Sequence, residues 1–281
     1  MSNSLSISTA AYDGHNLAVV LEEISSLPVN FVELAFIQGY TDPFTEDYFN
    51  KTNAGEIRRL LEHNGVDCRS FSAHMDLTSS RAVDVFKKRM DFARMVGADI
   101  VISNAGPRER EAEFFNNMEE LIRHAASLGI AIGLENPGDG RPSLLDCGRD
   151  AEGLIERLGF EAVGINYDFG NLVSHLFEKV RPEEDFRHVL PWTVSYHIKD
   201  VAPDVGGWHF TEIGQGAIDY GAILKELAAQ PVPKPLCLEI PLRLSRARDA
   251  SPRRSSEPID VKVIHQVLEG SLAFVRRAIE S

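Results

Sequence analysis

Cysteine is scarce in this chain: Cys68, Cys147 and Cys237 are the only three in 281 residues. Three widely separated thiols make neither a disulfide framework nor a zinc-binding spacing, so reduced thiols are expected. Long hydrophobic runs are missing as well. No segment reaches the ~18 consecutive apolar residues of a membrane span, and "MSNSLSISTAAY" lacks a basic region followed by an apolar one, which predicts a cytoplasmic protein. Positive charge is in deficit, with 29 Lys and Arg against 42 Asp and Glu and a net charge of −13. Such a field disfavours nucleic acid or an anionic membrane as partner. The composition points to a small-molecule ligand, with a homo-oligomer left open.

What the chain does contain is a regular alternation. Eight short apolar runs occur: "LSISTAAY", "FVELAF", "DCRSFSAHM", "DIVISNAG", "IAIGLEN", "VGINYDFG", "TVSYHIKDV" and "LCLEIPL". Between them lie amphipathic stretches such as "NLAVVLEEISSL", "AGEIRRLLEHNG", "AVDVFKKRMDFARMVGA" and "NMEELIRHAASLG", several ending in the glycine that closes a helix. Strand then helix, eight times over, predicts the α/β class and a single (β/α)8 TIM barrel, one domain over residues 1–281. The final helix, "IDVKVIHQVLEGSLAFVRRAIE", would close the ring. A doubly wound open sheet is disfavoured because "AAYDGHN" lacks the glycine spacing of a phosphate-binding first turn.

Polar residues at the C-terminal strand ends of such a barrel converge on one mouth. Glu135 ends the fifth run, Asp168 the sixth, His197 the seventh and Glu239 the eighth. Three carboxylates gathered there would repel one another unless a cation sits among them. Three carboxylate oxygens and one imidazole nitrogen form a hard, oxygen-rich site for one divalent ion, with Mn2+ preferred and Mg2+, Co2+ or Zn2+ as alternatives.

In the order of these four residues, in "HIKD" and in "FTEIGQGAIDYGAILKEL", the chain resembles the xylose-isomerase-like barrel superfamily. That group includes ketose 3-epimerases, hydroxypyruvate isomerase and inosose dehydratase. The resemblance implies that Glu135, Asp168, His197 and Glu239 bind one divalent metal, with Glu135 and Glu239 as the acid and base pair. It also makes His74 and Glu33 candidates for the substrate pocket. Ketose 3-epimerases carry a His where this chain has Asn171 and an Arg where it has Lys199, and "HIKD" is closer to the inosose dehydratases.

A carbonyl held on the metal would lose its neighbouring proton to form an enediolate. Isomerisation or epimerisation of a small keto sugar is the expected outcome. A lyase, dehydratase or decarboxylase, is the near alternative. A DNA-repair enzyme of the endonuclease IV kind is a distant one, since it requires more histidines and a basic surface. A barrel that only binds a ligand is a third class, and the intact four-residue set argues against it.

Further substrate-binding candidates are Lys199, Asn104, His209 and Asn171, the last read together with Asn136 as a support for the metal ligands. Each has a plainer alternative: a salt bridge from Lys199 to Asp200 or Glu212, a structural role for His74, a turn at Asn104, a surface position for His209. Residues 243–258, "RLSRARDASPRRSSEP", carry five arginines against Asp249 and Glu257. They read either as a solvated loop or subunit contact, or as a recognition element for an anionic substrate led by Arg243.

Overall fold

The computed structural model describes residues 4–160 and 162–280. Seven strands come first in the barrel: β1 (Leu5–Ser8), β2 (Phe31–Ala35), β3 (Asp67–Ser72), β4 (Ile100–Asn104), β5 (Ala131–Glu135), β6 (Val163–Asp168) and β7 (Thr193–Ile198). Two further strands, β8 (Asp200–Asp204) and β9 (Gly207–Thr211), form a hairpin outside it. The eighth staff of the barrel is β10 (Leu236–Leu238), which pairs in parallel with both β7 and β1 and closes the cylinder.

Around the barrel run α1 (Leu17–Ser26), α2 (Lys51–Asn64), α3 (Ala82–Val96), α4 (Glu111–Leu128), α5 (Ala151–Leu158), α6 (Phe169–His175), α7 (Pro182–Asp185), α8 (Tyr220–Ala228) and α9 (Val261–Glu280). The α2, α3 and α4 helices stop at Gly65, Gly97 and Gly129, each in the left-handed conformation that a residue with a Cβ resists. α9 packs against α8 and so completes the outer layer. No helix among the described residues is long and apolar enough to cross a membrane.

The barrel therefore agrees with the sequence expectation, while the basic segment does not behave as a free loop. It folds into β11 (Leu244–Ala247) and β12 (Pro252–Arg254), and β11 pairs antiparallel with β9. The result is a four-stranded sheet, β12-β11-β9-β8, built from the chain that follows β7 and β10. Asp13 anchors it: its carboxylate accepts from Arg254 Nε at 2.7 Å and Arg243 Nη1 at 3.3 Å, while Arg243 also donates to the carbonyls of Ser255 and Ser256. Arginines that looked free in sequence are spent on holding the hairpin.

On the other side of the mouth, Phe36, Phe44, Tyr48, Phe49, Phe71 and Phe92 pack ring against ring, with centroids 5.2–6.4 Å apart. Arg89 lies over Phe44 and Phe49, pairs with Glu46, and donates to the carbonyls of Ala73 and His74. The backbone at the end of β3 is thereby fixed.

Candidate metal centre

Glu135, Asp168, His197 and Glu239 are buried together, with one ligand atom from each lying within 4.8 Å of all the others. Local structure explains each placement. Asp168 ends β6 and caps α6: its Oδ1 accepts the Asn171 N–H at 2.8 Å, which leaves Oδ2 to face the cluster. Asn136 clamps that junction, donating to the Asp168 carbonyl at 2.8 Å and accepting the Asp168 N–H at 2.9 Å. Glu135 is held by both oxygens, Oε1 by Asn171 Nδ2 and Oε2 by Asn166 Nδ2, each at 2.9 Å. Asn166 in turn accepts from Ser195 Oγ at 2.6 Å, so β5, β6 and β7 are linked side chain to side chain.

His197 is oriented from behind. Its Nε2 lies 2.9 Å from Glu33 Oε2, which also accepts from Ser70 Oγ at 2.8 Å. A carboxylate can only accept here, so Nε2 carries the proton and Nδ1 is the nitrogen offered to the cluster. Nδ1 stands 3.1 Å from Glu135 Oε2 and 3.5 Å from Glu239 Oε2, without hydrogen-bond alignment to either. Asp168 Oδ2 likewise has no aligned donor, although Lys199 Nζ is 2.6 Å away. An imidazole nitrogen without a partner and a carboxylate oxygen held only by the Lys199 ammonium, converging on a carboxylate-rich donor set, fit a hard divalent cation.

The electrostatics say the same. Burial, reinforced by Glu135 and Glu239 and opposed by Lys199, pushes the Asp168 carboxyl up to about 7. Burial works against charge on His197 too, yet Glu33, Glu239 and Glu135 outweigh it and raise the imidazole well above its ordinary range, so an ion taken up at Nδ1 would displace a proton from it. For Glu239, burial is overcome by Lys199 and His197, which hold its carboxyl well below the usual value. Concentrated negative charge is drawing in every available cation.

A cavity of about 590 Å³ opens above this cluster, lined among others by Glu135, Glu239, Lys199, His74, Asn104 and Asn171. His74 bonds Ser72 Oγ through Nε2 and Asn104 Oδ1 through Nδ1, and Nε2 is 3.6 Å from Glu135 Oε2. Lys199 reaches neither Asp200 nor Glu212; its ammonium sits between Asp168 and Glu239. Asp200 is occupied instead with four backbone N–H groups, those of Val201, Gly214, Gly216 and Ile218, which shape the loop before α8. Gly170 makes room for the lysine, since a Cβ there would come within 2.8 Å of Lys199 Cγ.

Three expected pocket residues lie elsewhere. Glu33 is fully buried beneath His197, with Oε2 accepting from both that ring and Ser70, and it does not line the cavity. His209 points outward beside Asp204, because alternation along β9 sends Trp208 and Phe210 inward, and Phe210 lines the cavity in its place. Arg243 is bound to Asp13 and the backbone at 255–256, whereas Arg246, one strand face further on, borders the cavity. The alternation in "GWHFT" was the available signal for Phe210; the pairing that carries Arg246 inward is remote in sequence.

A search of curated proteins finds no match. Among solved structures, the chain is similar to a D-psicose 3-epimerase from Clostridium cellulolyticum, with a TM-score of 0.75 at 13% identity, covering 99% of both chains. It is similar to a xylose isomerase domain protein from Planctomyces limnophilus, with a TM-score of 0.72 at 19% identity over 99% of this chain and 98% of that one. A third, the probable 3-DHS dehydratase AsbF from Bacillus anthracis, matches with a TM-score of 0.68 at 15% identity over 94% and 98% of the two chains. At these identities the similarity is one of fold. The family model described as xylose isomerase-like TIM barrel matches residues 21–257, and the chain belongs to that family.

Proposed function

We propose that this chain, acting as one barrel domain, is a divalent-metal-dependent isomerase or epimerase of a small keto sugar or sugar derivative. The carrying observation is the buried set Glu135, Asp168, His197 and Glu239, converged to within 4.8 Å at the base of the cavity. These four residues would hold the ion, with Mn2+ the preferred candidate. Bound there, a divalent cation supplies Lewis-acid polarisation of a substrate carbonyl and lowers the acidity barrier of the neighbouring C–H.

The chain's own residues supply the proton traffic. Glu135 and Glu239 both border the cavity, so one removes the proton to give an enediolate and the other returns it. Asn166 and Asn171 fix the Glu135 oxygens, which sets the face from which it acts. His74, held through both ring nitrogens by Ser72 and Asn104, forms a fixed wall of the pocket beside Glu135. Named relatives in fold, an epimerase and a probable dehydratase, support an enzyme of this general kind.

A second reading rests on Lys199. An ammonium beside Glu239 is placed to protonate a departing β-hydroxyl, so a lyase on the same site, dehydratase first and decarboxylase second, is the alternative.

Incubation of the Mn2+-loaded protein with keto sugars in D2O separates the two. Deuterium incorporated at the α-carbon without loss of water or carbon dioxide supports the isomerase. Loss of either with every incorporation event establishes the lyase, and inertness of the whole panel counts against both.

A further inference from the structure

Arg246 lies on β11, 6% exposed, and borders the same cavity as Glu135, Lys199 and Glu239. A guanidinium has five N–H donors, and burying them without acceptors is costly. Among the described residues it has no carboxylate partner, and its hydrogen bond is a long one, from Nη1 to the Ala250 carbonyl at 3.4 Å. Its guanidinium carbon lies over the Tyr40 ring, 5.3 Å from the centroid, a contact that uses none of its N–H donors in a conventional hydrogen bond. The other arginines around the cavity are matched: Arg89 with Glu46, Arg141 with Asp139.

Gly138 shows where that edge opens. A Cβ on Gly138 would lie 3.0 Å from Arg246 Nη2 and 2.6 Å from Asn171 Oδ1. Asn171 Oδ1 is itself buried with no donor. A donor fork and a lone acceptor therefore border one spot of the cavity, beside a residue with no side chain to fill it. A carboxylate placed there accepts from Arg246.

We infer that Arg246 receives a carboxylate of the substrate, so that the molecule processed is an acidic sugar derivative rather than a neutral ketose. This rests on the isomerase reading above and narrows it. Carboxylate is preferred to phosphate because a single guanidinium supplies one positive charge, which a carboxylate balances and a phosphate of charge about −2 does not.

The test is titration calorimetry on the Mn2+-loaded protein with D-fructuronate, D-fructose and D-fructose 6-phosphate, which differ at one carbon. The expected result is tighter binding of fructuronate than of fructose, with that ratio falling roughly 10- to 100-fold in Arg246→Met. Arg246→Lys, which keeps the charge but not the fork, should lower the ratio by a smaller factor and serves if the Met variant does not fold. Equal binding of acid and ketose, preference for the phosphate, or a ratio unmoved by both variants overturns the inference. The D2O assay keeps the two claims apart. Fructuronate held through Arg246 but never exchanged removes the isomerase reading alone; exchange into fructose with no preference for the acid removes only the carboxylate assignment.

Discussion

The two halves of the barrel mouth are built from different chemistry. The side formed by β5, β6, β7 and the end of β10 supplies all four members of the cluster, with Asn136, Asn166 and Asn171 holding Glu135 and Asp168 in place. The side formed by β2 and β3 supplies six packed aromatic rings around Arg89. Crowded carboxylates oppose folding unless a cation or proton joins them, whereas buried rings favour it. One half is thus organised for a ligand and the other for rigidity, and Glu33 on β2 reaching His197 on β7 is the tie between them.

The comparison breaks if variants in the two halves fail in the same way. Glu135→Gln carries the largest expected effect: turnover should fall ~10²–10⁴-fold, the usual span for an acid or base group, while the protein stays folded with a small drop in melting temperature, because burial of the Glu135 carboxyl is outweighed by His197 and His74, which hold it below its ordinary value. Phe49→Ala should do the opposite. It removes a ring that is 2% exposed and should cost about 3–5 kcal/mol in denaturant unfolding, with turnover per folded molecule retained.

Glu33→Gln tests the tie. Replacing the charged acceptor behind His197 by a neutral amide should weaken Mn2+ binding roughly 10- to 100-fold in calorimetric titration, without the full loss of stability expected at Phe49.

The smallest effect lies on the charged rim. The Gly140 N–H donates to His175 Nδ1, so Nε2 donates to Asp146 Oδ1 at 2.9 Å. Burial raises the Asp146 carboxyl, but His175, the Ser143 N–H and Arg108 outweigh it and hold it below its ordinary value. A depressed carboxylate stabilises the fold above the unfolded-state pKa of roughly 3.9, and that contribution disappears as pH falls through the lower folded value. Wild type should therefore melt a few degrees above Asp146→Asn at pH 7, and the gap should begin to close only as the buffer falls below roughly pH 3.9. A gap that persists or widens at low pH would show that the carboxylate is not the source.

Much of this was legible in the sequence. Eight apolar runs mark eight barrel strands because a strand covered on both faces needs no alternation. The four cluster residues are readable because each closes a run, and the barrel brings strand ends together whatever the details of the loops. What escaped depends on contacts between distant segments. Glu33 looks like a mouth residue until the barrel turns it toward His197 on the far side. Arg243 and Arg246 are equivalent in sequence, and only the antiparallel register of Arg246 with Trp208 sends one to the cavity and the other to Asp13. Lys199 shows the same limit: Asp200 and Glu212, the acids expected to pair with it, are not the ones it meets.

The central claim is that Glu135, Asp168, His197 and Glu239 take up a single divalent ion. Mn2+ titration of chelator-treated protein, wild type beside Glu239→Gln, tests it most directly. The account predicts uptake of one ion per chain by the wild type and loss of that uptake in the variant, with both proteins folded. No uptake by folded wild type, or equal uptake by the two, would contradict it.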